Sequence, residues 1–112
     1  RRVLRSVPGV KLVEMPRHRA FSSCCGMGGG LKTVSPEIQH KMAEARVREA
    51  KSIGAEAIVT PCQTCYLGLL NGVKEAGSTG MKIFHMNELL IQALCPDVAH
   101  ESVANALACT AS

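Results

Sequence analysis

Apolar and polar residues alternate along this chain with two different periods, that of a strand and that of a helix. Residues 10 to 15 alternate with the period of a strand, and Pro16 ends that pattern. A loop rich in Ser, Cys, Gly and Met follows at residues 22 to 34. Ser35-Pro36 is a typical helix start, and Gly54 a typical helix end. The apolar stripe of this helix is expected to consist of Ile38, Met42, Ala45, Val47 and Ala50.

The second half of the chain continues with further strands and helices. Residues 57 to 60 form a short apolar run, which is typical of a strand buried in a parallel sheet. The remaining predicted elements are a helix that begins at Cys62 to Cys65 and ends near Gly77, a strand over 81 to 85, a helix capped by Asn87 that ends before Cys95, and a weak helix over 98 to 108.

This order predicts an α/β layered fold with a mostly parallel sheet of three to four strands and flanking helices. We expect one domain over residues 1 to 112, with a weak helix and tail at 96 to 112. Sites in open parallel sheets form beyond the carboxyl ends of the strands. The residues that follow predicted strands, and should therefore meet along one edge, are Cys24, Cys25, Cys62, Cys65 and His85.

Composition narrows the classes of function. Hydrophobic residues make up 46% of the chain but aromatic residues only 3%, so the core must be aliphatic. The shortage of aromatic side chains argues against a nucleic-acid platform, since bases stack on aromatic rings. The net charge of +4 is mild. We interpret Arg17 and Arg19 as surface charge, with attraction of an anionic substrate or cluster as the alternative.

Six cysteines in a chain of 112 residues raise the question of a secreted, disulfide-linked domain. The first residues do not resemble a signal peptide, and the aliphatic core makes stabilising disulfides unnecessary. No apolar run approaches the roughly 20 residues that span a bilayer. We therefore expect a reducing, cytoplasmic location. Because the chain begins without Met and with helix-like residues, we also expect it to be a piece of a larger polypeptide.

The cysteines fall into two pairs, Cys24-Cys25 and Cys62/Cys65. Neighbouring side chains of an extended segment point to opposite sides, which suits several irons better than one tetrahedral ion. A C-x-x-C at a helix start directs both sulfurs one way, and backbone N–H groups there favour thiolate charge. Glycines after Cys25 allow backbone N–H groups to approach sulfur. Zinc ligation and a dithiol/disulfide function remain alternatives.

Two segments resemble a known family, the cysteine-rich CCG domain. They are Ser23-Cys24-Cys25-Gly26-Met27-Gly28-Gly29-Gly30 and Ile58-Val59-Thr60-Pro61-Cys62-Gln63-Thr64-Cys65. Such domains occur in heterodisulfide reductase subunits and in the iron–sulfur subunits of glycolate oxidase and anaerobic glycerol-3-phosphate dehydrogenase. Residues 8 to 15 and 85 to 90 also resemble segments usual in these domains. The resemblance covers roughly residues 5 to 95.

The resemblance implies that Cys24, Cys25, Cys62 and Cys65 are metal ligands of an iron–sulfur cluster, with Gly26 and Gly28 lining it. The implied cofactor is a four-iron (4Fe-4S) cluster, of a non-cubane type in heterodisulfide reductases. The family pattern also has a lone upstream cysteine, so a fifth ligand is expected outside this chain. Gln63 stands where the family often has Pro. The isolated chain is accordingly expected to be inactive.

The implied function is electron transfer in an oxidoreductase that acts on a thiol/disulfide, quinone or 2-hydroxy-acid couple. Its implied partners are a flavoprotein or a ferredoxin-type iron–sulfur subunit, with no membrane span and at most peripheral membrane association through a partner. Two alternatives stay open: a zinc-bound or metal-free module that docks subunits, and a thioredoxin-like dithiol exchanger. The predicted order of elements lacks the hairpin expected of a thioredoxin-like fold, and Cys-Cys-Gly has no use in it.

Four further residues carry competing interpretations. His85 could hydrogen-bond to a cluster sulfur or relay a proton, or make a structural contact with Glu88 at a helix start. His40 is expected to form a solvated pair with Glu44 one turn later. Cys95 and Cys109 stand outside the motif and are expected to be buried or tail cysteines without a role.

Overall fold

The structure is a computed structural model, and it describes residues 1–77 and 80–95. Its helices are α1 (Arg2–Ser6), α2 (Leu31–Val34), α3 (Pro36–Ser52), α4 (Gln63–Glu75) and α5 (Met86–Leu94), with a 3-10 turn at Arg19–Phe21. Its strands are β1 (Ala57–Thr60) and β2 (Lys82–His85). The helix expected over residues 98 to 108 lies outside the described residues. The mixture of helices with a parallel sheet confirms the α/β class.

The described sheet has two strands, not the three to four that were expected. β1 and β2 pair in parallel, with Ala57 opposite Lys82 and Thr60 opposite His85. Helix α4 provides the crossover between them, because parallel strands cannot be joined by a tight turn. The carboxyl ends of both strands therefore lie side by side. Thr60 and His85 mark that edge.

The strand predicted over residues 10 to 15 is wrong, since this segment has no regular secondary structure. Its alternation instead reflects burial on one side. Val10 and Leu12 are half-buried, while Lys11 and Val13 are exposed. An extended segment that lies on a core shows the same period of two as a strand, whether or not it pairs with a neighbour. Periodicity alone could not separate these two cases.

The sequence prediction for α3 located the helix correctly and its buried face in part, since Val47 and Ala50 are fully buried as expected. The residues it buries are Gln39, Ala43, Val47 and Ala50. Ile38 is 51% exposed, and Ala45 is also on the exposed side. Ser35 occupies the N-cap position, but its hydroxyl makes no capping hydrogen bond. Ala43 is fully buried because α4 approaches α3 closely at this point of the face.

That close approach depends on glycines in α4. A Cβ at Gly72 would lie 2.6 Å from the carbonyl carbon of Ala43, and a Cβ at Gly68 would lie 2.3 Å from Cγ of Met27. Both glycines are buried. Residues larger than glycine would push α4 away from α3 and from the loop that contains Met27. The α3–α4 contact thus brings the segment before α3 toward the start of α4.

The core lies between these helices and the sheet. Its buried residues are Cys25, Val47, Ala50, Ile58, Leu69, Met81 and Ile83. None of these seven residues is aromatic, in keeping with the low aromatic content of the chain. Cys25 differs from the other six because it carries a thiol, which belongs to one of the two cysteine pairs. No helix in residues 1–77 and 80–95 is long and apolar enough to cross a membrane.

Candidate functional site

The Cys24-Cys25 segment forms a tight loop whose two sulfurs have opposite environments. Cys24 is exposed, whereas Cys25 is only 8% exposed and belongs to the core. The backbone N–H of Gly26 donates a hydrogen bond to Sγ of Cys24 at 3.3 Å. This is the kind of N–H-to-sulfur contact that stabilises thiolate charge. The loop therefore holds one sulfur outward with a donor already aimed at it.

Gly26 is required in this loop for two reasons. Its φ of +79° lies in the left-handed region, which side chains disfavour. A Cβ there would also lie 3.1 Å from Cα of Gln39 and 3.2 Å from Cβ of Met42. Gly28 differs, because its φ is not left-handed and a Cβ there would meet no atom within 4 Å. Of the two glycines predicted to line the site, Gly26 alone is sterically required.

Gln39 of α3 holds the Cys24-Cys25 loop by a hydrogen bond, and the sequence interpretation missed it. Its side chain is fully buried, and Nε2 donates to the carbonyl oxygen of Cys25 at 3.2 Å. Within the described part of the chain, Oε1 of Gln39 has no hydrogen-bond partner. The available signal was its spacing, because Gln39 shares one helical face with Ala43 and Val47. A glutamine on a buried face indicates a specific polar contact.

The second cysteine pair lies at the start of α4. Cys62 is the N-cap residue, and its Sγ accepts the backbone N–H of Cys65 at 3.5 Å. The backbone N–H of Cys62 in turn donates to Oγ1 of Thr60 at 3.2 Å. Cys62 is exposed and Cys65 is partly buried. This turn therefore repeats the arrangement of one outward and one inward sulfur.

The two inward sulfurs meet. Sγ of Cys25 and Sγ of Cys65 are 3.2 Å apart, although the residues are 40 positions apart in the chain. Of the five residues expected to meet along one sheet edge, Cys25 and Cys65 are in contact, although no strand of the described residues precedes Cys25. Within residues 1–77 and 80–95, however, no three His, Cys, Asp or Glu side chains form a group that could hold a metal ion. Cys24 and Cys62 flank the contact rather than joining it in one cage.

These environments shift the pKa values of the second pair in opposite directions. The backbone N–H of Cys65 lowers the pKa of the Cys62 thiol below its ordinary value, since it stabilises the thiolate. Burial raises the pKa of Cys65 to about 12, and the contact with the Cys25 side chain adds to this effect. In the metal-free protein the outer sulfur is therefore the more acidic one.

The donor set nevertheless fits an iron–sulfur group chemically. Four thiols lie on two segments at one edge of the sheet, and two of the sulfurs accept backbone N–H groups. Thiolates are the usual protein ligands of such clusters, and N–H groups aimed at sulfur tune them. The exposed Cys24 and Cys62 leave the outer side of the site open. Further ligands could therefore approach from that side.

His85 makes the structural contact that the sequence allowed for. Its backbone N–H donates to Oε2 of Glu88 at 2.7 Å. His85, rather than the expected Asn87, is the N-cap of α5. Its ring nitrogens contact the backbone N–H of Asn87 and the carbonyl oxygen of Pro61. Both ring nitrogens are thus engaged within the chain.

The other candidate residues lie away from the sulfurs. His40 pairs with Glu75 of α4 at 3.3 Å, so the expected His40–Glu44 pair is wrong. Glu44 instead pairs with Arg48. The described Cys95 is an exposed free thiol after α5, not a buried one. Cys109 lies outside the described residues.

Arg17 is held by α3 rather than left free at the surface. Its backbone N–H donates to Oε1 of Glu49 at 2.6 Å, and Nη1 of Arg46 donates to its carbonyl oxygen at 2.9 Å. Its guanidinium remains largely exposed, as expected for surface charge. Arg19 is exposed and has a left-handed φ of +55°. The contacts of Arg17 fix the segment that leads into the Cys24-Cys25 loop.

The described part of the chain also has a groove of about 530 Å³. It is lined at the amino ends of the strands by residues that include Ala57, Met81 and Lys82. Cys62 and Cys65 follow the carboxyl end of β1, and Cys24 and Cys25 lie in the loop before α2. The groove is therefore at the end of the sheet away from Cys62, and it contains none of the four cysteines.

Comparison with known proteins identifies a family and several relatives. The family model of the cysteine-rich domain named CCG matches residues 1–70. The chain is 37% identical over 94 residues to a subunit of the dihydromethanophenazine:CoB–CoM heterodisulfide reductase of Methanosarcina barkeri, covering 84% of this chain and 23% of that protein. It is 31% identical over 97 residues to a subunit of the fumarate reductase (CoM/CoB) of Methanothermobacter marburgensis, covering 87% and 19%.

A bacterial relative has the same relationship. The probable iron-sulfur-binding oxidoreductase FadF of Bacillus subtilis is 35% identical over 95 residues, covering 84% of this chain and 14% of that protein. No solved structure gives a significant match. The chain belongs to the CCG cysteine-rich domain family. It spans less than a quarter of the length of these relatives.

Proposed function

We propose that this chain is an iron–sulfur-cluster-binding, electron-transfer domain of an oxidoreductase subunit. The observation that carries the proposal is the 3.2 Å contact between Sγ of Cys25 and Sγ of Cys65. It joins the two halves of the family motif at one point. The relatives named above are oxidoreductases or subunits of them, which supports the same interpretation.

In this proposal Cys24, Cys25, Cys62 and Cys65 hold the cluster, which supplies single-electron transfer when bound. The backbone N–H groups of Gly26 and Cys65 donate to the outer sulfurs and stabilise their negative charge. Burial of Cys25 excludes water from the inner side. A four-iron cluster of non-cubane type, completed by an upstream cysteine, is the form we propose.

The couple that exchanges electrons is proposed to be a thiol/disulfide, quinone or 2-hydroxy acid. A flavoprotein or ferredoxin-type subunit would be the electron-transfer partner, in the cytoplasm. Phe21, which precedes the Cys24-Cys25 loop in the chain, is 83% exposed, and Val34, which follows it, is 84% exposed. Both apolar side chains are open to contact with another subunit, and aromatic side chains are enriched at protein interfaces.

The test is anaerobic cluster assembly on the chain, alone and with the upstream cysteine segment that the family pattern supplies. We expect a brown protein with broad thiolate-to-iron absorption, iron and acid-labile sulfide. Cys25→Ser and Cys65→Ser should each remove most of the iron. Cys95→Ser is the matched control, since Cys95 is an exposed free thiol outside the motif. A colourless protein with stoichiometric zinc would contradict the proposal and favour a zinc-bound docking module.

A dithiol/disulfide exchanger is the second candidate. The same observation favours it, because two thiols 3.2 Å apart need little movement to form a disulfide. In that case the metal-free protein would reduce insulin disulfides rapidly, and Cys65→Ser would abolish the reaction. Slow insulin reduction by the metal-free wild type, combined with cluster assembly, would eliminate this candidate.

A further inference from the structure

The Cys62–Cys65 turn is connected to the neighbouring strand by a side chain outside the cysteine motif. Thr60 and His85 are opposite each other in the parallel register, at the last positions of β1 and β2. Thr60 accepts the backbone N–H of Cys62 through Oγ1. His85 contacts Pro61, the residue between Thr60 and Cys62, with Nε2 3.0 Å from its carbonyl oxygen.

The hydrogen bonds of His85 define which ring nitrogen donates. Nδ1 accepts the backbone N–H of Asn87 at 3.3 Å. A neutral imidazole that accepts at Nδ1 carries its proton on Nε2. Nε2 therefore donates to the carbonyl oxygen of Pro61. The ring therefore connects α5 to the segment that leads into the Cys62–Cys65 turn, with Nδ1 bonded to Asn87 and Nε2 to Pro61.

The position of His85 is itself held by its own helix. The backbone N–H of His85 donates to Oε2 of Glu88, and its side chain accepts the backbone N–H of Asn87. Both its backbone and its ring are therefore bonded to the first turn of α5. The carbonyl it contacts belongs to the peptide group that links Pro61 to Cys62. A fixed carbonyl fixes the plane of that peptide group, and with it the N–H of Cys62 that points at Thr60.

We propose that His85 is a positioning residue for the Cys62–Cys65 ligand pair. Its imidazole, through the Nε2 bridge to Pro61, keeps the turn in the conformation that presents both sulfurs. The role rests on the proposed cluster-binding function. His85 itself contacts no sulfur in this arrangement, and its contribution is geometric.

Two substitutions separate the two hydrogen bonds of the ring. His85→Asn places an oxygen near the position of Nδ1, so it keeps the cap on Asn87 but cannot reach Pro61. His85→Gln places an N–H donor near the position of Nε2, so it keeps the bridge but loses the cap. Both leave the backbone contact with Glu88 intact. A residue that acts only through helix capping would show the reverse order of effects.

The first measurement is amide hydrogen exchange of the reduced, metal-free chain. His85→Asn should speed exchange in residues 62 to 66 by about fivefold, the effect of losing one typical hydrogen bond. Residues 43 to 50 of α3 serve as the internal reference and should not change. His85→Gln should match the wild type in residues 62 to 66. Wild-type exchange in His85→Asn, or equally fast exchange in His85→Gln, overturns the proposal.

The second measurement is retention of iron and sulfide by the assembled chain after addition of a chelator. His85→Asn should lose its visible absorption several-fold faster than the wild type, and His85→Gln should not. If the wild type assembles no cluster, the proposed function fails. If the wild type retains its cluster and His85→Asn retains it equally long, the positioning role alone fails.

Discussion

Cys24-Cys25 and Cys62–Cys65 each combine an exposed sulfur that accepts a backbone N–H with a more buried sulfur, and the two buried sulfurs meet. The contacts that hold the two cysteine pairs in place differ. The first pair is held by close packing of Gly26 against Gln39 of α3, together with one hydrogen bond from the Gln39 side chain to the carbonyl oxygen of Cys25. The second is held by hydrogen bonds from the ends of two strands. One site is thus built from two segments with different sensitivities to substitution.

Gly26→Ala should have the largest effect, because it tests the packed segment. The added Cβ would combine a left-handed φ with contacts about as close as backbone packing permits. We expect a loss of about 2–3 kcal/mol in the free energy of unfolding, measured by denaturant titration. Gly28→Ala is the matched control in the same loop and should change stability by about 0.5 kcal/mol or less. Equal losses in the two variants would contradict a loop held by packing.

The outer and inner sulfurs of the second pair should differ in reactivity. The pKa of Cys62 is lowered and that of Cys65 is raised to about 12. Iodoacetamide should therefore modify Cys62 at least about tenfold faster than Cys65 near pH 8 in the reduced, metal-free chain, because the thiolate is the reacting form. Peptide mass spectrometry over time measures both rates. Faster modification of Cys65 would refute the arrangement of one outward and one inward sulfur.

Thr60→Val should affect the hydrogen-bonded segment with little change in packing. Valine keeps the shape of threonine but cannot accept the N–H of Cys62. We expect a loss of about 1 kcal/mol in unfolding free energy, together with faster amide exchange confined to the Cys62–Cys65 turn. Thr60→Ser keeps the acceptor and should preserve the slow exchange. A Thr60→Val variant with unchanged exchange would show that packing holds this segment too.

Glu49 should give the smallest effect, and one that depends on pH. Burial raises the pKa of this carboxyl, but the backbone N–H of Arg17 and the guanidinium of Arg46 outweigh it, so its pKa lies below the ordinary value. The ionised form is thus favoured by folding. Its contribution is fully present above the ordinary carboxyl pKa and is lost as the pH falls through the lowered one.

Glu49→Gln should accordingly be less stable than the wild type by about 0.5 kcal/mol at pH 7 and equally stable at pH values below the lowered pKa. Thermal unfolding across this pH range measures the difference. Glu37→Gln on the exposed start of the same helix is the control. A difference that persists unchanged at low pH would exclude the ionised carboxylate as the cause.

The sequence predicted most elements because their signals are local. Ser35-Pro36 located the start of α3, and the apolar run at residues 57 to 60 located β1. The strand expected over residues 10 to 15 failed because one-sided burial and strand pairing produce the same alternation. The buried face of α3 was predicted only in part, and Ile38 and Ala45 are exposed, because Gly68 and Gly72 of a later helix decide which side of α3 is covered.

By itself the sequence determined the chemistry available at the candidate site: two pairs of thiols, Cys24-Cys25 and Cys62/Cys65, within a CCG cysteine-rich domain. The tertiary structure alone decided which sulfurs meet and what supports them. The contact of Cys25 with Cys65, the anchoring amide of Gln39 and the reach of His85 to Pro61 join positions far apart in the chain. Such contacts depend on how closely helices and strands approach, which is a property of the packed molecule rather than of any local pattern.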